Sequence, residues 1–274
     1  MAKFELFRLS LFGETGDLTK SRSLSVLSRE EHLREAFGRN IEFTQRNKEY
    51  HFVPLLSDKS DYLIGRIGRK ILSRENLPPS QGFEDTEHES WIALSIVIDP
   101  RDHEDGQKMA VQIDLQVGSP NALLRALVEC INSSDIQRPF SIDAERIVDT
   151  DDFWRFAESQ TITKITFDFI APNMFGSADE ISEKVRMWRD KNNARKVQVS
   201  IQTEEGLAVD SSPTRAGVQH ASRGTGSFRA RASSGRVFSS LNNSKITQIS
   251  DEEIDRTVLA NSLTIQVGII FDRW

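Results

Sequence analysis

Apolar and polar positions along this chain switch between two periods, and the switches mark its elements. Near the start, Phe4, Leu6, Leu9 and Leu11 alternate with Glu5, Arg8 and Ser10, the period-2 pattern of an antiparallel strand with one wet face. Ser28 followed by Glu31 has capping-box spacing and opens a predicted helix through Phe37. Short strands are predicted at 41–43, 51–55 and 62–67, while Pro78, Pro79 and Gly82 mark 76–89 as a surface loop. The apolar run 91–98 predicts a further strand.

From residue 108 the pattern becomes regular. Val111, Ile113, Leu115 and Val117 alternate; Ser119-Pro120 then supplies an N-cap with proline at the first helical position, and Leu123, Leu124, Leu127, Val128 and Ile131 form one helical face. Strand and helix recur. Ile165, Phe167 and Phe169 alternate within 162–170, and a Pro-Asn turn leads to a predicted helix from 177 through 188. With strands predicted at 140–148 and 197–201, the order is that of a ferredoxin-like split βαβ unit, with a short helix inserted near 152–157. Right-handed crossovers would then place Leu124, Leu127, Val185 and Trp188 against one face of one sheet. The expected fold class is α+β: an N-terminal, mostly antiparallel β-rich domain over 1–107, then an α+β domain over 108–274 with a C-terminal basic hairpin. A strand at 263–271 is expected to close the sheet.

The basic hairpin is read from residues 212–238. Ser212-Pro213 caps a helix reaching about Arg223, which Gly224 and Gly226 end. Phe228, Ala230 and Ala232 then alternate with Arg229 and Arg231, Ser233-Ser234-Gly235 are turn residues, and Arg236-Val237-Phe238 returns as the second strand. Such a hairpin points its arginines to one face.

Charge singles out the same segment. Residues 211–250 hold Arg215, Arg223, Arg229, Arg231, Arg236 and Lys245 with no Asp or Glu, whereas the remaining residues hold 29 Lys and Arg against 41 Asp and Glu. A chain repelled by polyanions overall can still grip one through such a patch, by Coulomb attraction and counterion release. The single cysteine, Cys130, excludes an internal disulfide and reads as a buried thiol, in keeping with a cytoplasmic setting. Charges interrupt the N-terminal apolar residues, and the longest apolar run is far short of a membrane span, so no membrane partner is expected.

The residues that carry chemistry do not assemble into a complete catalytic motif, so no catalytic residue is assigned. Leu11-Phe12-Gly13-Glu14-Thr15-Gly16-Asp17-Leu18-Thr19-Lys20 resembles the nucleotide-binding turn of glucose-6-phosphate dehydrogenases, which implies glycines that let backbone approach a pyrophosphate. The alternating first strand and the chain length instead read it as an ordinary glycine-containing loop, and no cofactor is expected. Asp85, Glu87, His88 and Glu89 precede the strand at 91–98, and Asp99, Asp102, His103, Glu104 and Asp105 follow it. An eight-residue strand separates these groups by ~26 Å, which reads them as solvated loops and assigns no metal. Asp149, Asp151 and Asp152 read as caps for the following helix, and His220 as a surface or phosphate-contacting group.

Over the second half, Phe169-Ile170-Ala171-Pro172-Asn173 after a strand and the later Ala232-Ser233-Ser234-Gly235-Arg236-Val237 turn resemble bacterial proteins of unknown function found in mobile-element and phage-defence loci. The resemblance implies a defence role and supplies no active-site residues. The expected function is a nucleic-acid-binding component, for DNA or RNA, with Arg215, Arg223, Arg229, Arg231, Arg236 and Lys245 on phosphates and Phe228 or Phe238 stacking on a base. One alternative is a protein-interaction subunit docking an acidic partner or another copy of the chain. Another is a metal-dependent nuclease with a non-standard site drawn from Asp149, Asp151 and His220.

Overall fold

A computed structural model of the chain describes residues 2–13, 27–55, 61–103, 106–134, 139–170 and 196–249, with positions 183, 185, 187, 188, 191, 192 and 194 between the last two. The architecture is α+β and mostly antiparallel, built on two sheets.

The first sheet comprises β1 (Ala2–Gly13), β2 (Ile41–Gln45), β3 (Lys48–Pro54), β4 (Leu63–Asn76), β5 (Asp85–Asp99), β6 (Gln107–Gln112), β7 (Phe140–Arg146) and β12 (Ile246–Ile249). Its order is β12-β1-β6-β5-β4-β3-β2, with β7 continuing the β12 edge of β1, and each pairing is antiparallel. Two helices cover one face: α1 (Arg29–Phe37) and α2 (Pro120–Asn132). The capping box of α1 forms as its spacing predicts, Ser28 Oγ accepting from the Glu31 N–H while Glu31 accepts from the Ser28 N–H at 2.7 Å. Leu123, Leu124, Leu127, Val128 and Ile131 of α2 are all buried. Because α2 touches both β2 and β7, at opposite ends of the strand order, the sheet curls around it.

Strand β1 departs from its pattern. It is not half-exposed: Phe7, Leu9 and Leu11 enter the core beneath the helices, while Phe4 and Leu6 join Tyr62, Ile64, Val97, Ala110 and Ile147 in a second cluster on the opposite face. Both faces are covered because α1 and α2 lie over one, and the turn at 221–225 lies against the other at Arg8. Its partners are antiparallel, which removes the parallel βαβ setting that a dinucleotide turn requires; residues 14–20 of that motif lie outside the described residues.

The second sheet has the order β11-β10-β8-β9: β8 (Ile162–Ile170), β9 (Lys196–Gln202), β10 (Gly226–Ala232) and β11 (Val237–Ser239), again antiparallel. Its inner face buries Ile165, Phe167, Phe169, Phe228, Ala230 and Phe238 together with Phe153 of α3 (Asp151–Ser159) and Val218 of α4 (Ser212–His220). The expected split βαβ sheet therefore does not form. Strands β6 and β7 belong to the first sheet and β8 and β9 to the second, so Leu124 and Leu127 pack in one core while Val185 and Trp188 pack in the other. A boundary at 107 would cut β6 from its partners β5 and β1; the chain changes sheets after β7 instead. The strand expected at 263–271 lies outside the described residues.

Leu6 marks the seam. Its N–H donates to Lys245 O at 3.1 Å and its carbonyl accepts the Ile147 N–H at 3.0 Å, so the outgoing and returning chains share one edge of β1. Just beyond, the Val148 N–H bonds Ser222 O and the Asp149 N–H bonds Asn243 O, tying the turn after α4 to the first sheet. That turn needs glycine: Gly224 has φ +75°, and a Cβ there would come within 2.6 Å of Arg8 Cβ. Glu5 is buried on β1, with Arg146 Nε 2.7 Å from its carboxylate and the Ser244 hydroxyl donating to it.

Two further expectations change. The loop predicted over 76–89 shrinks to 77–84, because β4 and β5 stay paired out to Asn76 and Asp85. Alternation past Ile113 does not extend β6, which ends at Gln112 before a tight turn that leaves Leu115 exposed.

Candidate nucleic-acid interface

Strand β10 separates its residue types by face. Phe228, Ala230 and Ala232 point into the second core, and Arg229 and Arg231 point outward and are exposed. The register carries the outer face across the sheet: Arg229 lies opposite Ser239 on one side and Thr166 on the other, and Arg231 opposite Val237 and Lys164. Thr166 and Lys164 in turn face Ser200 and Gln202 of β9. Cross-strand neighbours share a face, so Arg229, Arg231, Lys164, Thr166, Ser200 and Gln202 form one polar surface. Arg236 is exposed in the turn between β10 and β11, where its carbonyl accepts the Ala232 N–H.

Electrostatically this surface is predominantly cationic. Lys164 and Arg231 sit directly opposite each other, an arrangement of like charges that costs stability. Among the described residues, no ion pair engages Lys164, Arg229, Arg231 or Arg236, although acidic partners hold Arg34, Lys70, Arg74, Arg101, Arg146, Arg155 and Arg215. The one carboxylate in the row below, Asp168, accepts from Gln198 Nε2 at 2.8 Å and lies 3.8 Å from Lys196 Nζ. An open groove of about 760 Å³ runs beside Lys164 and Arg231, with Gln202, Ser233 and Glu204 in its walls.

The other residues expected at the site lie elsewhere. Phe228 is 0 % exposed, its ring 5.0 Å from Phe153 and 5.7 Å from Phe238, which is also buried; neither is available to stack on a base, because the inner face needs both for its core. Arg215 projects from α4, on the inner side of the sheet, where it pairs with Asp210 and its guanidinium lies 5.4 Å from the Trp154 ring. Arg223 is in the seam turn, its carbonyl 3.5 Å from an Arg8 nitrogen. Lys245 is half-buried beside β1 in the first sheet. Lys164 is the cation that sequence reasoning missed. Its alternation within β8 was visible, but its place opposite Arg231 depends on a pairing between distant strands.

The acidic and histidine groups are likewise placed. His220 is buried against Phe169, ring centroids 5.2 Å apart, so it is not a surface group. Asp149 Oδ1 accepts the Asp151 N–H at 3.0 Å, and no group of three His, Cys, Asp or Glu suited to a metal occurs among the described residues. Asp99 is not a solvated loop residue. Burial raises its carboxyl, but hydrogen bonds from Arg101 at 2.8 Å and contact with His103 at 2.9 Å outweigh that and hold it below the usual range. Glu145 on β7 behaves oppositely: burial, with Asp143 nearby, pushes it up to about 7.

Comparison with other proteins adds no assignment: no protein-family model, curated protein or solved structure matches this chain. Among the described residues, no helix is long and apolar enough to cross a membrane.

Proposed function

We propose that this chain is a nucleic-acid-binding component that grips phosphates on the outer face of its second sheet. The observation that carries this reading is the cluster of Lys164, Arg229, Arg231 and Arg236, which no acidic side chain pairs with among the described residues, two of them directly opposite each other. A fold that accepts like-charge repulsion on an exposed face has it relieved when an anion binds there. Arginine forks suit phosphate oxygens, and Arg229 and Arg231 are spaced by two residues, ~7 Å along the strand. Thr166, Ser200 and Gln202 add neutral hydrogen-bonding groups beside them.

With Phe228 and Phe238 committed to the core, contact is made to backbone rather than to bases, and binding is expected to be sequence-tolerant. A bacterial mobile-element or phage-defence locus is the setting that the sequence resemblance implies for such a component.

Titrating labelled single- and double-stranded oligonucleotides at about 50 and about 200 mM salt tests the proposal, because log affinity falls with log salt in proportion to the phosphates contacted. Replacing Arg229, Arg231 and Arg236 by Ala should weaken binding and reduce the salt slope by about 2–3. No binding at low salt, or a slope that the triple variant leaves unchanged, overturns it.

A further inference from the structure

The longest strands of the first sheet outrun their neighbours. Strand β3 pairs with β4 only from Gly65 to Gly68, and β6 pairs with β5 only from Ile96 onward, yet β4 and β5 remain paired out to Asn76 and Asp85. Residues 69–76 and their partners therefore project as a two-stranded arm ~27 Å long. A lone two-stranded ribbon is marginal in water. This one is braced by ion pairs Lys70–Glu89 and Arg74–Glu87, each worth under about 1 kcal/mol when exposed.

The arm carries exposed apolar side chains, although the Trp91 ring also meets His51 of β3 edge-on, centroids 5.2 Å apart. Leu72 is 69 % exposed, Trp91 59 % and Phe83 61 %; Leu72 and Trp91 share one face, and Phe83 stands at the tip with φ +58°, a left-handed conformation costly for a bulky residue. Around them, residues 69–92 hold Glu75, Glu84, Asp85, Glu87 and Glu89 against Arg69, Lys70 and Arg74, a net charge of −2 with histidine neutral, and the outer residues 83–89 carry four of those acids and no Lys or Arg. An acidic finger studded with apolar side chains fits a cationic surface. The chain itself presents one, in Lys164, Arg229, Arg231 and Arg236.

We propose that two copies of this chain associate reciprocally, the acidic β4–β5 arm of each seated on the cationic outer face of the other's second sheet. A two-fold axis relates the two contacts, so the assembly closes at a dimer. The contact uses the face assigned above to phosphates but does not depend on nucleic acid being its ligand. It further requires that nucleic acid and arm compete for the same cations.

Light scattering of the full chain without nucleic acid tests this, at low salt and at about 200 mM, where screening shortens the reach of surface charges. The expected result is a particle of twice the 31.1 kDa chain at low salt that shifts toward the single chain as salt rises. Glu84→Lys/Asp85→Lys/Glu87→Lys should be monomeric at low salt, and so should Arg229→Glu/Arg231→Glu. Mixing these two monomeric variants should restore the dimer, since the reversed arm of one then meets the reversed face of the other, and the remaining arm and face keep their original opposite charges. A wild type that is monomeric at low salt, a dimer that survives either charge reversal, or a mixture that stays monomeric overturns the proposal. The arm variant keeps its cationic face, so it should still bind oligonucleotides. Its failure to do so would count against the phosphate reading and leave the dimer result standing.

Discussion

The two sheets of this protein distribute the same antiparallel pairing differently. In the first, β1 is buried on both faces, and a polar side chain that remains there must find its partner inside: Glu5 is held by Arg146 and Ser244. In the second, β8 and β10 bury one face only, and the other accumulates Lys164, Arg229 and Arg231 without acidic partners among the described residues. A buried charge is tolerated only when paired, because desolvation costs several kcal/mol; an exposed charge carries no such requirement. The outer face of the second sheet therefore carries charges that its core does not require.

The contrast is broken most severely from inside. Phe228→Ala removes a fully buried ring in contact with Phe153, Phe167 and Phe238 and should cost about 3–5 kcal/mol, read as a lower denaturation midpoint with loss of oligonucleotide binding. Glu5→Ala leaves Arg146 partly buried without its carboxylate and should cost about 3 kcal/mol, or a fall in melting temperature of roughly 6–12 °C.

A smaller effect of opposite sign is expected at Glu145. Its carboxyl is raised from 4.5 to about 7 in the folded protein, so the fold binds its proton more tightly than the unfolded chain does. The stabilisation is present in full below pH 4.5 and is lost as pH rises through about 7. Glu145→Gln should raise stability at pH 8 by on the order of 2 kcal/mol and flatten the profile between pH 5 and 8; a variant no more stable than wild type at pH 8 would show that the site is well solvated.

The smallest effect is the sharpest test of the comparison. Arg231→Ala relieves repulsion with Lys164 and should leave stability unchanged or raise it by under about 1 kcal/mol while weakening anion binding. A destabilisation above that size would mean that Arg231 serves the fold.

Much of the local structure was legible. Ser28 and Glu31 open α1, Pro120 opens α2, β8 runs over the alternating residues 162–170, and β10 alternates Phe and Ala with Arg as its pattern demands. The arm was not legible, because Pro78, Pro79 and Gly82 and a dense run of charges read as loop, whereas cross-strand pairs such as Lys70–Glu89 make those charges compatible with a ladder. The cationic face was half legible: alternation exposed Arg229 and Arg231, but Lys164 joins them through strand pairing, and the same alternation that freed the arginines buried Phe228.

Periodicity is a property of adjacent residues, so the sequence by itself determined α1, α2, β8 and which side of β10 carries charge. Sheet membership, the burial of β1 on both faces and the partner of each exposed cation were decided only by the tertiary structure. Those depend on which distant segment pairs with which edge: β1 meets β12, more than two hundred residues away, and β8 meets β10 across the insertion of β9 and α4. Burial and electrostatics are set where such segments meet, and neither is written in the spacing of any one of them.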